Sequence, residues 1–426
     1  MKVLVCDDRT SGEDIIKAIH ESGEKAIVTQ LLGPDLTKVL KELFVLVKEC
    51  LDHPKSCKST SGLPFDDVDL VFLDNNLAEL EIAGTRLTAE SIAGYVRAFT
   101  DAPYVVSLNK NPHVDFDLRY LVGDYATHAD LALNTRQISN PALWTGIPAD
   151  AKNGFVPWYW PCLRTVASRR RRQIEFIQAH FEERVCSTLN IPNEAYEFLS
   201  LHALGALYPL AEFDGHVEKD GKKPFEDVTF RDVFLARDRS LPAEADRVIL
   251  AKSPSADVSK IVSRVVAADI DLWFRRDVLG PQEALVDVPH LLARMPFLLG
   301  KRSSDFREWN KVVRADAVPY GLDQSLYESY LAKSQFKYEM WAPSPAFWWA
   351  QLKADEKLNA HYLEVKQSEW LDLVFCEDCS AFAERTPKNA QSSPTEFSAE
   401  FEGSWGRRYV AKMEGIRYAP LSRFAI

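Results

Sequence analysis

Short apolar runs alternate with helical stripes over the first third of the chain. Val3–Val5 reads as a buried strand, Ala26–Val28 as a second, and Asp69–Leu73, Tyr104–Leu108 and Ala129–Leu133 as three more. Between them, Ile15, Ile16 and Ile19 form one stripe, and Leu36, Val39, Leu40, Leu43, Val47 and Leu51 recur at helical spacing. Ala89–Phe99 reads as a further helix. Strands this short and this continuously apolar are covered on both faces, and their alternation with helices predicts a parallel sheet. The polar stretch Lys55–Gly62 is expected to be a surface loop.

Beyond residue 150 the pattern turns mainly helical. A helix is predicted to open at Arg169–Arg172 and to bury Ile174, Ile177, Phe181, Val185 and Leu189 before Pro192 ends it. Further helices are expected over Glu194–Leu207, from Ala256 to Leu279 before the Gly280-Pro281 stop, around Leu326–Ala332 and over Pro345–Ala354. Asp214–Pro224 reads as a polar loop. Near the end, Leu371–Phe375, Glu396–Phe401 and Arg408–Ala411 read as strands, with a loop at Thr386–Pro394. The expected class is α/β: a parallel sheet, then a mainly α region with a small β-containing C-terminal part.

Composition narrows the picture. Of the 426 residues, 46% are hydrophobic and 27% charged, as in ordinary globular chains. A net charge of −11 argues against a protein that coats nucleic acid or anionic membrane by bulk electrostatics. Charge also divides the chain. Residues 1–145 hold 14 Lys+Arg against 22 Asp+Glu, and all ten tryptophans lie at Trp144 or beyond. With turn chemistry at Gly146, Pro148 and Gly154, this sets an expected boundary between a domain over 1–145 and a region over 146–426. No apolar run approaches the ~20 residues of a membrane span, and the N-terminal stretch does not read as a signal peptide. Seven cysteines without framework spacing read as reduced thiols. The expectation is a cytoplasmic protein with no membrane partner.

The sharpest chemical signal is carboxylate. Asp7 and Asp8 follow one buried strand and Asp74 ends another. The carboxyl ends of parallel strands converge on one edge, where ligands bind. Three carboxylates crowded there repel one another, and a hard divalent cation such as Mg²⁺ relieves that repulsion. On spacing alone, solvated strand-end acids are the alternative.

Three ordered segments carry a resemblance: Val3-Leu4-Val5-Cys6-Asp7-Asp8, Asp69-Leu70-Val71-Phe72-Leu73-Asp74-Asn75-Asn76-Leu77, and Tyr104-Val105-Val106-Ser107. They resemble the response-regulator receiver domain of bacterial two-component signalling, over residues 1–145. The resemblance implies a doubly wound five-stranded parallel sheet. It implies that Asp74 accepts a phosphoryl group from a phosphohistidine donor and that Ser107 is the switch hydroxyl. It also implies that Asp7, Asp8 and Asp74 hold Mg²⁺ with the backbone carbonyl of Asn76. The sequence departs from the family pattern twice. The Asp8–Asp74 interval is long, with the excess expected in Leu43–Phe65, and Asn134 stands where the family has a lysine after its fifth strand. Lys110, three residues past Ser107, is the expected substitute cation.

Other signals are weaker. Glu364-Val365-Lys366, with Asp355 nine residues earlier, fits the E-x-K half of a metal-dependent nuclease and equally a solvated helix face. Cys376-Glu377-Asp378-Cys379 has zinc or redox spacing but no second ligand pair, so it reads as incidental thiols. Arg169–Arg172 reads as a solvated helix start, and Trp348-Trp349 and Trp158-Tyr159-Trp160 as core. The expected function is signalling or regulation, with Mg²⁺-dependent phosphorylation of Asp74 controlling the C-terminal region. The architecture is analogous to components of bacterial conflict and anti-phage operons. The expected partners are proteins, a phosphodonor kinase or an operon-encoded effector, with a homodimer as an option and nucleic acid unsupported by the net charge. The competing expectations are an Mg²⁺-dependent nuclease on Glu364 and Lys366, and a docking scaffold that is not phosphorylated.

Overall fold

In the computed structural model, the five apolar runs of the first third become strands of one sheet. Described residues are 1–8, 13–82, 85–109, 116, 123, 127–145, 155, 157–158, 161–205, 207, 225–235, 249–250, 255–300, 321–342, 344–366, 373–384, 391–392 and 408–418. Strand β1 (Lys2–Asp7) is followed by helix α1 (Glu13–Glu21), β2 (Ile27–Leu32) and α2 (Gly33–Asp52). Next come β3 (Leu70–Asp74) and the hairpin strands β4 (Asn76–Ile82) and β5 (Thr85–Thr88). Helix α3 (Ala89–Phe99), β6 (Val105–Asn109) and β7 (Leu131–Asn134) complete this part. The sheet order is β2-β1-β3-β6-β7, and every pairing in it is parallel.

Period-two alternation sorts the strand side chains onto two faces. Leu4, Cys6, Val71, Leu73 and Val105 cluster with Leu36, Leu40 and Leu43 of α2 and with Ile92, Ala93 and Val96 of α3. Val3, Val5, Leu70, Phe72 and Val106 cluster instead with Ile15, Ala18 and Ile19 of α1 and with Trp144. Both faces are covered.

The apolar packing runs on through residue 145. Helix α4 (Leu163–Ala179) sends Leu163 and Val166 into the α1 face. Helix α5 (Ala256–Trp273) adds Val258, Ile261 and Val265 to the α2–α3 face, and a π-helical turn carries it on to Leu279. The two segments differ in composition yet share these clusters. Helix α4 starts at Leu163, six residues before the expected opening, and ends before the separate turn Val185–Thr188. The difference is one of extent: Ile177, Val185 and Leu189 are buried and Ile174 and Phe181 pack on the same core, while α4 itself buries Leu163, Val166, Ala167, Arg170, Gln173 and Ile177.

The arginine run therefore lies inside the helix, and Arg170 is not a solvated residue. It is buried and bridges Asp130 Oδ1 at 3.0 Å to Asp271 Oδ2 at 3.2 Å. Arg97 of α3 reaches Asp130 at 3.0 Å, Arg275 reaches Asp271 at 3.0 Å, and Gln173 donates to Asp271 Oδ1 at 2.7 Å. Burial pushes the Asp271 carboxyl up, but Arg275 and Arg170 outweigh it and hold the group at about 2. Asp130 also accepts the Val105 backbone N–H at 2.8 Å, so one charged hub ties the amino edge of the sheet to α4 and α5.

The stretch Lys55–Gly62 is not a free loop. Cys50 and Cys57 form a disulfide, which corrects the reading of all seven cysteines as reduced; Cys6, Cys162, Cys186, Cys376 and Cys379 are free thiols. Buried Ser59 then docks on α5, where its N–H donates to Asp257 at 2.9 Å and its carbonyl accepts from Arg264 at 2.7 Å.

The remainder holds β8 (Leu285–Asp287), α6 (Val288–Arg294), β9 (Ala346–Trp348) and α7 (Glu356–Lys366). It ends in β10 (Leu373–Cys376), β11 (Ala381–Glu384), β12 (Gln391–Ser392) and β13 (Tyr409–Val410), in the sheet order β11-β10-β13-β12. The expected strand Glu396–Phe401 and loop Asp214–Pro224 lie outside the described residues. Among the described residues, no helix is long and apolar enough to cross a membrane.

Without Arg170, Asp130 keeps Arg97 and Asp271 keeps Arg275 and Gln173, but each loses a buried charge-assisted contact. Arg170→Met is therefore expected to cost about 1–3 kcal/mol of unfolding free energy. Exposed Arg172→Ala, two residues away, should stay within about 0.5 kcal/mol. Urea denaturation of both variants checks this, and equal effects would dismiss the hub.

Candidate metal centre

Strands β1 and β3 are direct parallel neighbours, with Cys6 opposite Leu73, so their carboxyl ends arrive side by side. Asp7 ends β1, Asp8 follows it, and Asp74 ends β3. One ligand oxygen from each lies within 4.8 Å of the other two. Relative exposures of 0%, 8% and 5% set aside the solvated-acid alternative. At such a separation each pair of carboxylates repels by on the order of 3 kcal/mol at an effective dielectric of about 20. The three donors are hard oxygens, the set that suits Mg²⁺. Among the described residues this is the only group of three His, Cys, Asp or Glu side chains that could hold one ion. The residues fit the cation that the resemblance implies.

The neighbouring residues meet at the same edge. The Asn76 N–H, at the foot of the β4–β5 hairpin, donates to Asp74 Oδ1 at 3.4 Å. Ser107 on β6 pairs with Leu73 in register; it is buried, and its Oγ–H donates to Asn75 Oδ1 at 3.4 Å. The Asn75 N–H donates to the Leu108 carbonyl at 2.8 Å and so ties the end of β3 to β6. The sequence reading passed over Asn75, although it adjoins Asp74. Burial, then Asp7, pushes the Cys6 thiol well up, so it stays protonated.

Asn134 has a structural task. It is fully buried and caps the short helix Thr135–Ile138, accepting the Gln137 N–H at 2.9 Å while Gln137 Oε1 accepts the Asn134 N–H at 2.9 Å. Lys110 lies outside the described residues. Asp8 borders an open groove of about 620 Å³ that Lys38, Lys41 and Glu42 of α2 also line, together with Leu80. Those lysines, three residues apart on the polar side of α2, were a signal left unread.

Glu364 and Lys366 lie on helix α7, not on a strand. Asp355 caps that helix, accepting the Leu358 N–H at 3.0 Å, and pairs with Lys333 at 2.5 Å, which holds its carboxyl low. Cys376 and Cys379 gather no further metal ligand among the described residues, and contact with Cys379, then burial, pushes the Cys376 thiol up. Trp348 is core as expected, whereas Trp158 is half-buried and donates its indole N–H to Asp287 at 3.3 Å.

No family model matches this sequence, and comparison with curated proteins and with solved structures finds no match. The functional reading therefore rests on the geometry.

A cation that binds only the folded trio raises stability by mass action, by about 2.7 kcal/mol at a hundredfold excess over its Kd. Mg²⁺ is expected to raise the melting temperature of the native chain. Asp8→Asn and Asp74→Asn should each abolish most of that increment. A full increment in both variants would place the cation elsewhere.

Proposed function

We propose that residues 1–145 form a doubly wound, receiver-like phosphoacceptor unit in which Asp74 is the acceptor. Its phosphorylation state controls how the C-terminal region meets a protein partner. One observation carries this reading: three buried carboxylates converge at the carboxyl ends of adjacent parallel strands, with a buried hydroxyl on the next strand.

In the reaction, an Asp74 carboxylate oxygen attacks the phosphorus of a phosphohistidine donor. The P–N bond breaks as the P–O bond forms, and the departing imidazole takes up a proton. Asp7 and Asp8, with Asp74, hold Mg²⁺ at the edge, and the cation when bound offsets charge on the transferring oxygens. Buried walls exclude water and fix the acceptor carboxylate, whose partner on the Oδ1 side is the Asn76 N–H. The phosphoryl group brings about −1.5 to −2 further charges to that edge, by analogy with other phosphorylated side chains. Lys38 and Lys41 line the groove beside Asp8 together with Glu42, and this reading assigns to the two lysines the role that the family gives to a lysine at the position of Asn134.

A second reading draws on Asn134 itself. With its carboxamide used as a helix cap, Asn134 brings no charge of its own to the edge. A unit so built binds Mg²⁺ and serves as a docking scaffold without turnover.

Incubation with Mg²⁺ and a small phosphodonor separates the two. The first reading expects slow labelling, at least tenfold lower in Asp74→Asn. Lys38→Ala/Lys41→Ala together should reduce it severalfold. Asn134→Lys should cost about 1 kcal/mol of stability through the lost cap, whichever reading holds. Labelling that survives Asp74→Asn removes Asp74 as acceptor, and no labelling at all leaves the scaffold.

A further inference from the structure

Both ring nitrogens of His290 face carboxylates. Nδ1 lies 2.6 Å from Oδ1 of Asp287, the cap of its own helix α6. Nε2 lies 3.1 Å from Oε1 of Glu377, in the turn after β10, close enough for an ion pair though off the line of a hydrogen bond. A neutral imidazole has one N–H and one lone pair, and here the lone pair would meet an anion; only the imidazolium suits both sides.

Asp287 and Glu377 are both fully buried. Arg408, just before β13, contacts Glu377 Oε1 at 2.5 Å and anchors its other nitrogens on the Gly280 carbonyl at 2.9 and 3.1 Å. Arg294 interacts with both Asp287 and Glu283, and Asp378 places a further buried carboxyl beside Glu377. Without the proton on His290, the two buried carboxylates that face its ring both lose a cationic neighbour.

Glu377 is also a junction of chain segments. Its N–H donates to the Tyr409 carbonyl at 2.8 Å, and its carbonyl accepts the Trp158 N–H at 2.9 Å. Asp378, next in sequence, accepts the Ala411 N–H at 2.8 Å and the Tyr418 hydroxyl at 2.5 Å. The Tyr418 ring meets Phe116 edge-on at 5.6 Å, and the Phe116 N–H donates to the Arg417 carbonyl at 3.1 Å. Phe116 belongs to the connection between β6 and β7.

We propose that His290 is a proton-operated latch. It fastens residues 408–418, and through them Phe116 of the β6–β7 connection, to the body of the molecule. Burial works against the charged ring, but Asp287 and Glu377 outweigh it and lift the imidazole from 6.5 to about 8. A raised value gives stabilisation that is complete below pH 6.5 and is lost as pH rises through 8.

Two measurements on the full chain test this. NMR titration of the histidine rings, with His290→Gln for assignment, should find His290 titrating near 8. Amide exchange over residues 409–418, corrected for the intrinsic rate, should accelerate between pH 6.5 and 9. The limit is roughly 30-fold, the 6.5-to-8 difference at tenfold per pH unit. Glu377→Gln should lower the ring's titration point and flatten the exchange step. A ring that titrates at or below 6.5 overturns the latch, as does exchange that stays flat while the ring loses its proton. The exchange reading on the wild-type chain does not depend on a variant folding.

Discussion

A guanidinium placed in a protein interior must be met by carboxylates, and the placement of Arg170 between Asp130 and Asp271 organises the molecule around that rule. Asp130 precedes β7 and holds the Val105 amide of β6, so the hub grips the amino edge of the sheet. Asp271 belongs to α5, and Arg170 to α4. The pairing therefore decides how the helices of the second segment lie against the sheet, and apolar packing of Leu163, Val166, Ile261 and Val265 follows from it. Burial alone would favour other arrangements equally well, since the hydrophobic effect has no direction. Charge supplies the direction.

The opposite edge of the same sheet presents the complementary problem. There Asp7, Asp8 and Asp74 bring three buried carboxylates together. One edge pairs its carboxylates with guanidiniums and holds structure together. The other gathers carboxylates that could hold a cation. The two lie at opposite ends of the parallel strands, so the ion pairs of the hub stand apart from the carboxylate trio.

The sheet was legible because its signals are local. Val3–Val5, Asp69–Leu73 and Tyr104–Leu108 are continuous apolar runs, and each became a strand within a residue or two of its expected ends. Carboxylates at the ends of two such runs were enough to bring Asp7, Asp8 and Asp74 together. What stayed hidden depends on distant partners. Nothing in Arg169–Arg172 marks the second arginine until the helix is phased from Leu163, and Asp130 and Asp271 lie 40 and 101 residues away. Asn134 likewise reads as a missing lysine until Gln137 is recognised as its reciprocal capping partner. The β4–β5 hairpin was not predicted, although Leu77 and Leu80 precede an Ala-Gly pair.

The contacts of α5 set a timetable for synthesis. Arg264 holds the carbonyls of Ser59 and Ala98, which lie 205 and 166 residues earlier in the chain. At about 5–20 residues per second, a ribosome needs roughly 10–40 s to deliver α5 after the strands and helices that it covers have emerged. Throughout that interval the α2–α3 side of the nascent sheet is without its final cover, and the apolar surface around Ile92 and Val96 is open to solvent and to chaperones. A chain that places its closing helix this late ties its yield in the cell to whatever shelters that surface while translation continues.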